Sequence, residues 1–217
     1  MGQGRTGGNG EVQKAGSGER LAVARAGAAL LLTATLSALA GCEDVNWRGT
    51  DISDAMPALD FELIDENGQQ VDEGEYAGKT TLVYFGFTHC PDVCPTALAR
   101  LSAAIRELDE PTRDAVRVLF VSVDPERDSP EVLDAYTEAF GPRFIGLTGD
   151  KAALDAVTNR YRVSYRLGEP EADGSYDVDH SSAIFAFDSG GDARLLMRDT
   201  DPVDSIAADI RRLVKKG

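Results

Sequence analysis

The chain has 217 residues, 42% of them hydrophobic, and a formal net charge of −15. That length and apolar content suit one core and a single domain once a leader is set aside. The acidic balance speaks against nucleic acid and against electrostatic docking on an anionic membrane, both of which need clustered Lys and Arg.

Residues 1–19 are polar and Gly-rich, a long leader ahead of a patterned segment. Arg20 and Arg25 precede an apolar run from Ala26 to Leu39, which ends in Leu39-Ala40-Gly41-Cys42. Basic, apolar and small residues in that order have the layout of a signal peptide. An uncleaved anchor is the rival, but a span requires about 20 apolar residues, and this run is shorter and carries Thr33, Thr35 and Ser37. The last four residues resemble the lipobox of a bacterial lipoprotein signal. That resemblance implies removal of residues 1–41, a lipidated Cys42, and an extracytoplasmic protein held on the cell membrane by its lipid anchor. Cys90 and Cys94 are then the only cysteines left in an oxidising compartment, where an idle pair would form a disulfide. A working pair there either cycles between redox states or is kept reduced by a metal.

Residues 42–57 have few apolar side chains and read as a tether, with Trp47 its only aromatic; the alternative is a strand packed on the domain. The domain itself is expected over 58–217. Leu59–Ile64 alternates like a half-buried strand, and Asp65-Glu66-Asn67-Gly68 turns it into Gln69-Gln70-Val71, an N-terminal hairpin. Thr80–Phe85 is rich in β-branched and aromatic residues and reads as a buried central strand. It ends at Gly86-Phe87-Thr88-His89, directly before Cys90-Pro91-Asp92-Val93-Cys94-Pro95. A proline pushes its predecessor toward extended backbone. Cys94 therefore suits the N-cap of a helix whose first residue is Pro95 and whose apolar face is Leu98, Leu101, Ile105 and Leu108. The positive helix end favours thiolate, which is both nucleophile and metal ligand.

Val116–Val123 is a nearly continuous apolar strand, of the kind covered on both faces. Ser129-Pro130 opens a helix that Gly141-Pro142 stops, Phe144–Leu147 is a short strand, and Asp150 caps the next helix. Gly168–Asp177 is polar and reads as a loop. Ala183–Phe187 and Arg194–Met197 form a hairpin across Asp188–Asp192, and Asp201-Pro202 opens a final helix. Strand–helix alternation implies right-handed crossovers and a mostly parallel core. The fold expected is α/β and thioredoxin-like: a mostly parallel central sheet with flanking helices, the N-terminal hairpin, and a closing hairpin plus helix.

The chain contains two histidines, His89 and His180. His89 adjoins Cys90 and reads as a surface or supporting residue. His180 stands just before a core strand, at a junction that packs beside the cysteine loop in such a sheet. It is either a ligand or a hydrogen-bonded structural residue. Asp177 or Asp179 would orient its far nitrogen if it is a ligand. Asp124–Pro130 reads mainly as a loop and helix start, with a partner contact as the minority view.

Three stretches, Phe87–Pro95, Val121–Pro130 and Val178–Ser181, resemble in order the signature blocks of the Sco/SenC family. The resemblance runs from about Leu59 to the C-terminus. It implies a membrane-tethered copper chaperone that receives copper from an upstream donor the sequence does not name. Its implied partner is the copper-bearing subunit of cytochrome c oxidase, whose dinuclear copper centre it helps build. By the family pattern the ligands of Cu(I) or Cu(II) fall on Cys90, Cys94 and His180, a set whose soft thiolates favour Cu(I). The alternative function is a thiol-disulfide reductase of the oxidase's copper-ligand cysteines, with Cys90 attacking and Cys94 resolving. Zinc is chemically open to the same donors, but export and the resemblance disfavour it.

Overall fold

The computed structural model describes residues 1–2, 46–169, 176 and 178–216, so the leader, the signal segment and Cys42 lie outside the described residues. From Asn46 onward the chain lays down β1 (Thr50–Asp51), β2 (Glu62–Asp65), β3 (Gln70–Asp72), β4 (Thr80–Gly86), α1 (Val93–Arg106), α2 (Glu110–Asp114) and β5 (Val116–Ser122). There follow α3 (Pro130–Glu138), β6 (Phe144–Thr148), α4 (Lys151–Arg160), β7 (Tyr165–Leu167), β8 (Val178–His180), β9 (Ala183–Phe187), β10 (Ala193–Arg198) and α5 (Val203–Lys216).

Eight strands form one sheet in the order β1-β10-β9-β4-β5-β6-β2-β3. Neighbours are parallel among β4, β5 and β6 and antiparallel toward both edges. Every residue of β4 is buried, in keeping with the apolar stretch Leu82–Phe85 that follows its two threonines: both faces of the strand are covered. The helix α1 follows β4 and packs beside α5, which follows the β9–β10 hairpin. Strand–helix–strand followed by hairpin and helix, with the cysteines after the first core strand, is the expected thioredoxin-like arrangement.

Local signals place several elements as expected. Ser129 accepts from the Val132 N–H at the start of α3, and Asp150 from the Ala153 N–H at the start of α4. Gly68 supplies the positive φ, +76°, that turns β2 into β3, a conformation glycine adopts without penalty.

Two expectations need correction. The domain begins before residue 58. Trp47 packs on the core, β1 pairs with β10, and the buried carboxylate of Asp209 in α5 accepts the N–H groups of Arg48 and Gly49. What read as the later part of a tether is an edge strand, fastened by backbone hydrogen bonds that its side chains do not advertise. The second correction concerns α1, which starts at Val93 with Asp92 as N-cap. Pro95 thus falls inside the first turn, where the backbone N–H it lacks would have no intrahelical partner, so a proline there costs the helix nothing. The short helix α2, capped by Asp109, and the two-stranded ribbon β7–β8 were not among the expected elements.

Candidate metal centre

The site is built where β4 runs into α1. Glycine at position 86, the last residue of β4, leaves room for the thiol and the ring: a Cβ there would lie 2.8 Å from both Cys94 Sγ and Phe120 Cε2, and one of them would have to shift. Cys90 follows half-buried and Cys94 fully buried, and both are free thiols. The Cys94 N–H donates to Cys90 Sγ at 3.4 Å, so the first-turn amide of α1 points at Cys90. Desolvation pushes the Cys94 thiol up to about 12, against a hydrogen bond from the Phe87 backbone that lowers it. The expectation that the helix end would favour thiolate at Cys94 is therefore reversed, because burial outweighs the helix end once the sulfur is out of water.

His180 arrives on a separate element. It closes β8, opposite Tyr165 of β7, and its ring stands edge-on to Tyr84 and Phe87 with centroids 6.0 and 5.8 Å away. Its Nδ1 lies 3.0 Å from the Ser181 carbonyl oxygen. A carbonyl only accepts, so Nδ1 carries the proton and Nε2 presents its lone pair. That Nε2 is 3.2 Å from Cys94 Sγ. The orienting partner is thus the Ser181 carbonyl; Asp179 is exposed, and Asp177 lies outside the described residues.

The two sulfurs and the imidazole nitrogen all lie within 4.8 Å of one another. Bonds of about 2.0–2.3 Å from thiolate and imidazole to one ion place such atoms roughly 4 Å apart, so the donors fit a single soft ion with little rearrangement. His89 is not part of the group: its half-exposed ring faces Asp128, with Nδ1 3.5 Å from Oδ1.

The stretch read as a loop and helix start carries more than expected. Asp128 is fully buried and accepts from the Thr88 N–H at 2.9 Å, the Thr88 hydroxyl at 2.6 Å and the Ser122 hydroxyl at 2.6 Å. It ties the cysteine loop to the end of β5. Asp124, also fully buried, accepts from Arg127 Nε and from the Tyr176 hydroxyl. The signal was present: β4 and β5 pair in parallel with Gly86 opposite Ser122, so polar residues just past β5 had to lie beside residues just past β4.

A thioredoxin-like domain with a dithiol–imidazole group able to hold a soft metal ion is the class that fold and site define. Among the described residues, no helix is long and apolar enough to cross a membrane. The chain belongs to the SCO1/SenC family, whose model matches residues 51–215. An SCO2-like protein of Rickettsia felis is 42% identical over 133 residues, 61% of this chain and 64% of that protein, so the match spans just under two thirds of that relative. The mitochondrial protein SCO2 homolog of Mus musculus is 37% identical over 190 residues, 85% of this chain and 74% of that one. ScoI of Bradyrhizobium japonicum, solved with copper bound, matches with a TM-score of 0.66 and 38% identity over 73% of this chain and 99% of that chain.

Proposed function

We propose that this protein binds one copper ion through Cys90, Cys94 and His180 and passes it to the copper-bearing subunit of cytochrome c oxidase. In this reading residues 1–41 are removed and Cys42 carries a lipid that holds the domain on the extracytoplasmic face of the cell membrane. The observation that carries the copper reading is the convergence of two sulfurs and one lone-pair nitrogen within 4.8 Å, from residues as far apart in sequence as Cys90 and His180. Family membership and a copper-bound relative select copper among the ions such donors accept. Two thiolates hold Cu(I), the imidazole adds the donor that Cu(II) prefers, and three protein ligands leave a side open to an incoming thiolate.

The test is titration of the reduced protein with copper, in parallel with His180→Ala. One ion per chain and a marked loss of Cu(II) affinity in the variant are expected; no binding, or binding indifferent to the imidazole, overturns the reading. Mass spectrometry of the membrane-extracted protein should find a diacylated N-terminal Cys42, and an intact leader would overturn the anchor.

A second reading draws on the asymmetry of the pair. Cys90 is accessible and Cys94 buried, as in an attacking and a resolving thiol. Cys90 thiolate would displace one sulfur of a target disulfide to give a mixed disulfide. Cys94 would then displace the other, leaving the target as a dithiol and this chain as a disulfide. Oxidase assembly in cells carrying His180→Ala separates the two, since copper transfer needs the imidazole and dithiol exchange does not.

A further inference from the structure

The ligand His180 does not sit on the eight-stranded sheet. It sits on the ribbon β7–β8, with three residues in each strand, and a two-stranded ribbon of that size has little stability in water by itself. Something else must fix it. Val178 is buried, the Tyr165 hydroxyl donates to Asp155 at 2.8 Å, and the Ser181 N–H donates to the Ser164 carbonyl at 3.2 Å. The most heavily invested contact lies four residues before the ligand. The Tyr176 hydroxyl donates to buried Asp124, the Arg127 guanidinium lies 3.6 Å from the centre of the Tyr176 ring, and Arg127 Nη1 donates to the Tyr176 carbonyl at 3.2 Å. Arg127 also stands 5.8 Å from the ring of Phe87, the residue whose edge-on contact flanks His180.

We infer that Tyr176, Asp124 and Arg127 form a brace that positions His180 against the two thiols, and so set how strongly the imidazole takes part in holding the ion. None of the three touches the ligand atoms; they act through the lead-in to β8. A carboxylate at Asp124 with no exposure to water requires compensating partners, and it has two, one on its own turn and one on the histidine segment. Asp128, four residues on, holds Thr88 of the cysteine loop. One turn thereby grips both ligand-bearing segments. Desolvation and the Asp124 hydrogen bond push the Tyr176 phenol up to about 12, so it remains a donor at neutral pH.

The inference rests on the copper reading above, and the experiment separates the two. The protein and its Tyr176→Phe, His180→Ala and doubly substituted variants are titrated with Cu(II) and, by competition, Cu(I). Tyr176→Phe keeps the ring over Arg127 and removes one hydrogen bond to a charged group, so Cu(II) binding should weaken by about tenfold. Cu(I), held by the two sulfurs, should stay within about twofold of the parent. In the His180→Ala background Tyr176→Phe should add nothing. In the metal-free protein, amide exchange over 178–181 should quicken in Tyr176→Phe while that of α1 is unchanged. Unaltered Cu(II) affinity or unaltered exchange in Tyr176→Phe, alongside His180-dependent binding by the parent, overturns the brace and leaves the copper site standing. An equal loss in the His180→Ala background assigns the effect to general stability and also overturns it. If His180→Ala binds Cu(II) like the parent, the copper site itself fails, and the brace with it.

Discussion

Replacing Asp128 by Ala tests whether the turn after β5 fastens the cysteine loop. The carboxylate is fully buried and accepts three hydrogen bonds, two from Thr88 and one from Ser122. A hydrogen bond to a charged group contributes about 1.5–3 kcal/mol, and a buried donor left unpaired costs about 1–3 kcal/mol. The three are not additive. Thr88 is half-exposed and can recover water, whereas the Ser122 hydroxyl is buried and cannot. A net loss of about 3–4 kcal/mol follows, a large share of the roughly 5–15 kcal/mol by which a domain is stable. With an m value of about 2 kcal/mol/M, the urea midpoint of the metal-free, reduced protein should fall by about 1.5–2 M. Thr88→Val, which keeps the N–H bond and removes the hydroxyl's bond to Asp128 together with its contact to the solvated His89 ring, should give about a third of that. A midpoint shift under about 0.5 M for Asp128→Ala would refute the reasoning, because it would mean the carboxylate is not holding the loop.

Three further outcomes follow from the geometry. Gly86→Ala inserts a Cβ 2.8 Å from Cys94 Sγ and Phe120 Cε2; overpacking of this kind costs about 1–3 kcal/mol, and urea unfolding together with copper titration should show both stability and affinity reduced, whereas an unchanged affinity would mean that Cys94 has room to retreat. Because burial raises the Cys94 thiol to about 12, above its unfolded value, its contribution to the metal-free protein is present at neutral pH and is lost as pH climbs toward 12, by up to about 1.4 kcal/mol per pH unit. Comparing unfolding of the protein and Cys94→Ala from pH 8 to 11 isolates that slope, and parallel profiles would contradict it. Asp209→Ala strands the Arg48 and Gly49 N–H groups; limited proteolysis should cut near residues 46–51 sooner than in the parent, and an unchanged cleavage pattern would show that β1 is held without the carboxylate.

Those features of the fold fixed by neighbours in sequence could be read from it. Ser129-Pro130, Asp150 and Gly68 act on backbone groups two to four residues away, and their elements form where expected. The largely apolar runs of β4 and β5 announce strands covered on both faces. Elements fixed by distant partners could not be read in the same way. Trp47–Asp51 carries no strand pattern because what orders it is a carboxylate 160 residues away in α5 and the edge of β10. Tyr165–Leu167 is too short to show alternation, and its pairing partner β8 lies beyond an intervening polar stretch.

The site divides along the same line. Cys90 and Cys94 share one strand–helix junction, so local rules brought them together, but those rules assumed a solvated helix end and so misjudged the protonation of Cys94. The imidazole comes from a ribbon outside the main sheet, and its tautomer is set by a neighbouring carbonyl, which no side-chain pattern reveals. Asp124 and Asp128 look like ordinary acids of a polar turn, since nothing within that turn says that the parallel pairing of β4 and β5 will bury both. Yet that turn touches both the cysteine loop, through Thr88, and the segment leading to the histidine, through Tyr176. Asp128 anchors the cysteine loop and Asp124 the Tyr176 end of the histidine segment, so burying two acids of one turn ties that turn to both donor-bearing segments.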